Sequence, residues 1–190
     1  MSSLLALLNN YSPLDPTEDA MYRQTVEFVT SHSNCFERSL SEGHVTASAW
    51  VIDPTYGQAL MMHHRKLGRW FQPGGHCDGD SDVIGVARKE AEEETGLLNP
   101  TLAFPQILDV DVHTIPGNAK DPEHLHYDIR FLFTADPATP LTVNEESRAL
   151  KWIPLDEVAS FNDSESILRL VRKTKVLQNV LLAADGQSVH

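Results

Sequence analysis

Apolar and polar residues alternate with a period of two through the middle of the chain, which predicts β-strands. Between His44 and Ile52 both alternating sets include apolar residues, so we expect a strand with both faces at least partly covered. The residues from Asp53 to Gly57 predict a turn, and Ala59 to His64 the returning strand of a hairpin.

Two further alternating runs, near residues 108–113 and 125–134, predict a second strand pair joined by the connection 116–123. A symmetric pairing would place three polar pairs on one face: His113 with His126, Asp111 with Asp128, and Asp109 with Arg130. Either this face is solvated, with Asp109 paired to Arg130, or it forms a polar wall of a substrate cleft or an accessory cation site. A short strand from Ala149 to Pro154 is expected next.

Helical signals occur at both ends of the chain. The sequence Asp15-Pro16-Thr17-Glu18 supplies an N-cap, a proline at the first helical position and a following glutamate. We therefore predict an N-terminal helical extension over 1–42 and a domain over 43–190. The extension packs either on this domain or on a second subunit, so a homodimer is one alternative. A closing helix is predicted from Asp163 to about Ala184.

A central helix is predicted after a double-glycine turn, with Asp80 or Ser81 as its N-cap and Gly96 as its end. Spacings of three and four residues bring three carboxylates to one side of this helix: Glu90, Glu93 and Glu94. An adjacent stripe is apolar and consists of Ile84, Ala87, Ala91 and Leu98. Clustered carboxylates raise one another's pKa unless a cation lies among them, and their oxygens suit Mg²⁺ or Mn²⁺. The alternative is a solvated acidic face.

These residues resemble the Nudix box, G-x5-E-x7-R-E-U-x-E-E-x-G-U, in which U is a bulky apolar residue. The matching positions are Gly75, Glu90, Glu93, Glu94, Gly96 and Leu97. Two positions depart from the pattern, because Ser81 replaces its glutamate and Lys89 its arginine. In the family these two residues mainly brace the loop against the helix, so we expect a weakened brace. Asp80 and Asp82 are candidates for an alternative partner of Lys89.

The resemblance implies an α/β (α+β) Nudix fold, with a mixed β-sheet sandwiched between helices. It also implies a pyrophosphohydrolase that cleaves a nucleoside diphosphate linked to another moiety X with Mg²⁺ or Mn²⁺. The expected metal ligands are Glu90, Glu93, Glu94 and the carbonyl of Gly74. The resemblance leaves the general base shared between Glu93 and Glu146, with Glu145 as the fallback for Glu146.

The expected substrate-binding residues lie around the glycine turn and on the polar strand face. Arg65 and Arg69 belong to a basic loop that leads into the turn, while Gly75 permits a close backbone approach. His76 lies beside the turn and Asp128 on the polar face, and both are assigned to substrate contact.

Two other functions remain open on this sequence. With Ser81 and Lys89 in the box, the domain could bind a nucleotide or diphosphate without turnover, as a sensor. Isomerisation of an isoprenoid diphosphate also occurs on the fold and would need a cysteine acid, for which Cys77 is the candidate.

Composition narrows the list of partners. A net charge of −12 argues against binding to nucleic acid polymers or anionic membranes and requires a metal and local basic groups to hold a diphosphate. At 190 residues and 41% hydrophobic content, one domain with a sizeable core is expected. Cys35 and Cys77 are expected to be reduced thiols. Since the first residues also lack a basic leader, we expect a cytoplasmic protein.

Overall fold

The structure is a computed structural model that describes residues 3–117 and 122–187. Five helices and eight strands lie within these residues. The helices are α1 (Ser3–Asn9), α2 (Pro16–Ser31), α3 (Val83–Thr95), α4 (Val158–Phe161) and α5 (Glu165–Gln187). The strands are β1 (Gly43–Ile52), β2 (Gln58–His64), β3 (Trp70–Phe71), β4 (Gly74–His76), β5 (Thr101–Leu102), β6 (Asp109–Ile115), β7 (His124–Thr134) and β8 (Ser147–Pro154).

The strands form one mixed sheet around β1. This strand pairs in parallel with β7 along its whole length and antiparallel with β2 and β4. Strand β7 also pairs antiparallel with β5 and β6, and β2 with β3 and β8. Every residue of β1 is buried, which confirms the prediction that both of its faces are covered.

Helices cover both faces of the sheet. One apolar core packs Val45, Ala47 and Ala49 of β1 with residues of α1, α2 and α3. The other core packs Trp50 and Ile52 with residues of α4 and α5. The alternation of side chains along β1 thus serves two separate cores. The predicted mixed sheet sandwiched between helices is confirmed.

Helix α2 begins as predicted. The carboxylate of Asp15 accepts hydrogen bonds from the backbone N–H groups of Thr17 and Glu18, both at 2.9 Å. Phe28 stacks on Tyr127 of β7 with ring centroids 4.0 Å apart. Of the two alternatives for this helix, the structure shows packing against the sheet of its own chain.

Helix α3 ends at Gly96 as predicted, with φ 75°, a backbone angle that favours glycine. Its N-cap is Asp82, whereas Asp80 or Ser81 was expected. Leu98 was assigned to the buried stripe but is 83% exposed, because the last helical residue is Thr95 and Leu98 lies beyond the Gly96 cap.

The C-terminal part of the chain differs slightly from expectation. Helix α5 begins at Glu165, after the short α4, and continues beyond Ala184 to Gln187. The predicted connection 116–123 lies partly outside the described residues. Among the helices that the structure describes, none combines the length and apolar character needed to cross a bilayer.

The predicted register of β6 and β7 is confirmed, with Asp109 opposite Arg130 and Asp111 opposite Asp128. The expectation that this face is solvated is wrong, because all four of these residues are at most 6% exposed. Helix α5 covers the face, and Arg169 bonds to both carboxylates of β6 at 2.7–3.0 Å.

A candidate active site at the glycine turn

Strand β4 brings two glycines against the carboxylates of α3. A Cβ atom added to Gly75 would lie only 2.6–2.8 Å from the carboxylate atoms of Glu90. A side chain at this position would therefore displace Glu90, so the glycine is needed for the close approach of turn and helix.

Glu94 is the most buried of the three carboxylates, at 5% exposure. It accepts a hydrogen bond from the backbone N–H of Gly74 at 2.9 Å. Burial, together with the charges of Glu90, Glu146 and Glu93, raises the pKa of Glu94 to about 8, and that hydrogen bond lowers it only in part. An ionised Glu94 thus lacks a compensating cation among the described residues nearby.

Glu90 and Glu93 continue the cluster toward solvent. Glu90 is half-buried, and burial followed by the charge of Glu93 raises its pKa. The side chain of Glu93 is 57% exposed and lies 3.7 Å from the ammonium of Lys89. The expected alternative partners of Lys89 cap backbone N–H groups instead, Asp80 at residue 82 and Asp82 at Gly85.

The donor set fits a hard divalent cation. Burial and neighbouring carboxylates raise the pKa values of Glu90 and Glu94, and the neighbouring Lys89 is largely exposed. Oxygen ligands of this kind suit Mg²⁺ or Mn²⁺. A cavity of about 270 Å³ opens beside Glu90 and Lys89, between the turn and α3.

A fourth acidic side chain approaches the three glutamates of α3 from the loop before β8. Glu146 is exposed, and its charge contributes to the raised pKa of both Glu90 and Glu94. Asn144 positions the loop: its amide donates to the carbonyl of Glu93 at 3.2 Å, and its carbonyl accepts from the N–H of Glu146 at 2.9 Å. No role of Asn144 was predicted from the sequence, since a single loop asparagine carries no recognisable signal.

Arg65 holds the same loop from the other side. Its guanidinium donates to the backbone carbonyls of Glu145 and Ser147, each at 2.9 Å, and its own N–H donates to the carbonyl of Glu146 at 2.7 Å. Arg65 was expected to bind phosphate. In the structure its side chain instead holds the backbone on both sides of Glu146.

The other expected substrate contacts also have partners within the protein. Arg69 donates to Asn162 at 3.1 Å and lies 3.6 Å from Asp163. Asp128 is 3% exposed and accepts hydrogen bonds from Thr46, Ser48 and Arg130. Its carboxylate therefore belongs to the buried polar face and does not line an open cleft.

His76 lines the cavity beside Glu90, but its ring also contacts His44 and His126 at centroid distances of 5.0 Å. Cys77 is free and 3% exposed, and burial raises its pKa to about 12. The histidine contacts were not expected, because they join residues from separate strands.

The arrangement of a glycine turn, an acidic helix and a mixed sheet agrees with the comparison to known families. A sequence model described as the NUDIX domain matches residues 43–173. The chain therefore belongs to the Nudix hydrolase family, which confirms the resemblance drawn from the box.

A curated relative is the CMP-5'-(N-acetyl-N-hydroxy-3-aminopropyl)phosphonate hydrolase of Streptomyces rubellomurinus (strain ATCC 31215). It is 28% identical over 117 residues, which is 60% of this chain and 53% of the relative. The chain thus spans about half the length of this relative.

Solved structures share the fold at low sequence identity. A C. elegans Ap4A hydrolase binary complex has a TM-score of 0.54 and 18% identity, covering 70% of this chain and 96% of its own. The E. coli dihydroneopterin triphosphate pyrophosphohydrolase also has a TM-score of 0.54, with 14% identity and coverage of 68% and 92%. At these identities the likeness shows the fold alone.

Proposed function

We propose that this chain hydrolyses the pyrophosphate bond of a nucleoside diphosphate linked to another moiety X, with Mg²⁺ or Mn²⁺ as cofactor. The observation that carries the proposal is the buried carboxylate of Glu94 at the glycine turn, with two further glutamates beside it. Such a cluster is costly unless a cation neutralises it.

Glu90, Glu93, Glu94 and the carbonyl of Gly74 would hold the metal ion. A bound ion would neutralise the negative charge that develops on the diphosphate oxygens. The chain's own contribution is to hold these oxygen donors in place, because α3 and β4 are fixed by the contact of Gly75 with Glu90 and by the Gly74 hydrogen bond to Glu94.

A carboxylate near the cluster would remove a proton from the attacking water. Glu146 suits this role, because it is exposed and its backbone is fixed by Arg65 and Asn144. Glu93 is the alternative base, although its carboxylate is shared with Lys89 at 3.7 Å. The reaction consumes one water and yields a nucleoside monophosphate and phosphorylated X.

The residues of the site define a chemical class of substrate, and a panel of compounds is needed to find the member that is hydrolysed. The curated relative is named for a CMP phosphonate conjugate, so a cytidylyl conjugate belongs in the first substrate panel. ADP-ribose, dinucleoside polyphosphates, nucleotide sugars and nucleoside triphosphates complete it. Arg65, Arg69 and Asp128 are not part of the proposed substrate site, whereas Gly75 and His76 line the turn and remain in it.

The test is incubation of the purified chain with this panel and Mg²⁺, with chromatographic detection of nucleoside monophosphate. We expect turnover of at least one member and a loss of at least about 100-fold in Glu93→Gln or Glu94→Gln. Ligand-induced thermal stabilisation without any product would support the sensor alternative instead. The isomerase alternative is disfavoured by the 3% exposure of Cys77.

Several predictions accompany this proposal. The division into a helical extension over 1–42 and a domain over 43–190, the cytoplasmic location, and the absence of nucleic acid or membrane partners all stay predictions. The packing of α2 on its own sheet supplies no support for a homodimer.

A further inference from the structure

Five histidines gather at one end of the sheet, on a single face. His44 of β1 lies directly opposite His126 of the parallel strand β7, and His113 of β6 lies opposite His126 on its other side. His124 lies two residues before His126 and therefore shares its face. His76 of β4 completes the group, and its ring centroid is 5.0 Å from that of His44.

Three of these side chains can converge on one point. Ligand nitrogens of His44, His124 and His126 all lie within 4.8 Å of one another. Nitrogens bound at about 2.1 Å to the same tetrahedral Zn²⁺ are about 3.4 Å apart. Ring rotations that close the widest gap by at most about 1.4 Å would bring all three nitrogens into bonding distance of one ion.

The imidazole nitrogens at the centre have no partner among the described residues. His44 is 3% exposed, yet neither of its ring nitrogens makes a hydrogen bond, and the buried Nε2 of His126 makes none. A buried polar atom without a partner is destabilising, because it has lost its hydrogen bonds to water and gained none in the protein. Ring packing alone does not explain why this cost is met at two adjacent residues.

His124 has the hydrogen bond expected of a metal ligand. Its Nδ1 lies 2.9 Å from the carbonyl of Pro122, which can only accept, so Nδ1 carries the proton and leaves Nε2 free to bind. Neutral imidazole is the form that binds metals.

We propose that His44, His124 and His126 form a binding site for one divalent transition-metal ion of the Zn²⁺ class, separate from the carboxylates of α3. Imidazole nitrogen favours Zn²⁺, Ni²⁺ and Cu²⁺, whereas Mg²⁺ prefers oxygen. Three protein ligands leave one position of a tetrahedral ion open, and His76 is a further imidazole within 5.0 Å of two of them, measured between ring centroids. His76 is the last residue of β4, the strand that also contains Gly74 and Gly75.

The experiment is equilibrium dialysis of the metal-free full chain against Zn²⁺ in the presence of excess Mg²⁺, which occupies oxygen sites without competing for imidazole. We expect one Zn²⁺ per chain. His124→Ala should weaken the affinity at least about 10-fold, since even loss of an outer partner of a ligand costs that much. His63→Ala is the matched control, because His63 stacks on Trp70 and makes none of the ring contacts of the group.

Two further measurements make the result decisive. Glu94→Gln should bind Zn²⁺ as the wild type does, which separates this site from the proposed catalytic metal. Zn²⁺ should raise the Tm of the wild type and of His63→Ala but not of His124→Ala. Absence of Zn²⁺ binding by the folded wild type, or equal binding by His124→Ala, would overturn the proposal and leave ordered water as the partner of these nitrogens. Neither result depends on whether the chain hydrolyses a diphosphate.

Discussion

The Glu94 carboxylate accepts a hydrogen bond from the Gly74 N–H at 2.9 Å, at a residue that is only 5% exposed. One backbone donor does not offset the loss of hydration, and burial raises the pKa of Glu94 from its ordinary 4.5 to about 8. Without a cation nearby, the protonated form of Glu94 is therefore favoured over the ionised form at neutral pH.

This pKa predicts how metal-free stability depends on pH. Because the folded-state pKa lies above the unfolded value, the contribution of Glu94 is fully present below about pH 4.5 and is lost as pH rises through about 8. Between pH 5 and pH 8 the metal-free wild type should lose, relative to Glu94→Gln, on the order of a few kcal/mol of unfolding free energy. Urea unfolding at several pH values measures the difference.

The matched control is the same series with excess Mg²⁺. A cation among the carboxylates favours the ionised form, so Mg²⁺ should remove most of the loss at pH 8 in the wild type and have little effect on Glu94→Gln. Parallel stability curves for the two proteins without metal would show that Glu94 titrates normally.

Asn144 is predicted to act as a positioning residue for Glu146. Asn144→Ala removes both the bond to the Glu93 carbonyl and the acceptor for the Glu146 N–H. We expect kcat to fall about 10- to 100-fold with KM changed far less, because a small misplacement of a reacting group is costly. Steady-state kinetics over a range of pH provides the measurement.

Asn144→Asp keeps the acceptor and should recover part of the rate. Asn10→Ala is the control, since the exposed Asn10 amide donates to the carbonyl of Ala6 at 2.9 Å, within its own segment of the chain. If Glu146 is the base, the acidic limb of the kcat/KM profile should shift in Asn144→Ala. A variant that loses Tm while keeping its pH profile and kcat would argue against the positioning role.

Gly75→Ala tests the close approach of turn and helix. The new Cβ would lie within 2.6–2.8 Å of the Glu90 carboxylate atoms, so that side chain must move. We predict about 100-fold slower hydrolysis and weaker Mg²⁺ binding, measured by kinetics at varied Mg²⁺. Gly57→Ala is the control, because the nearest atom to its added Cβ is Thr55 Oγ1 at 3.3 Å. Unchanged Mg²⁺ dependence in Gly75→Ala would remove Glu90 from the ligand set.

Arg169 is predicted to be indispensable for stability. Its side chain is 2% exposed and bonds to Asp109 and Asp111, so Arg169→Met removes one buried cation and leaves these carboxylates to Arg130 and Lys173. The free energy of unfolding, measured in urea, should fall by about 3–5 kcal/mol. Arg172→Met, which removes an exposed ion pair with Glu165, should cost at most about 1 kcal/mol. Similar losses of unfolding free energy in Arg169→Met and Arg172→Met would contradict the prediction that the buried arginine contributes more to stability than the exposed one.

The box and the register of the strand pair were accessible from sequence, because both depend on local spacing. Glu90, Glu93 and Glu94 share one side of a helix by periodicity, and the Asp109–Arg130 pairing follows from a symmetric hairpin. The burial of that pair was not accessible, since it depends on Arg169 and Lys173 from a helix far along the chain.

Contacts with the backbone and between distant strands were also missed. A carbonyl has no sequence signature, so Arg65 was expected to bind phosphate although it bonds to the carbonyls of Glu145 and Ser147. His44 and His126 meet because β1 and β7 pair in parallel, and no turn in the sequence predicts a parallel pairing. For the same reason the buried position of Asp128 between Ser48 and Arg130 could not be foreseen.

The charged layer between β6, β7 and α5 has a consequence for how the sheet avoids misalignment. Asp109 and Asp111 alternate with Val110 and Val112, so a slip of β6 by one residue would turn both carboxylates toward the opposite, apolar core. The same slip would leave the Arg130 and Arg169 guanidinium groups facing valines. Each ion displaced into an apolar core carries a desolvation penalty of several kcal/mol. The charged layer therefore favours a single register of β6 against β7.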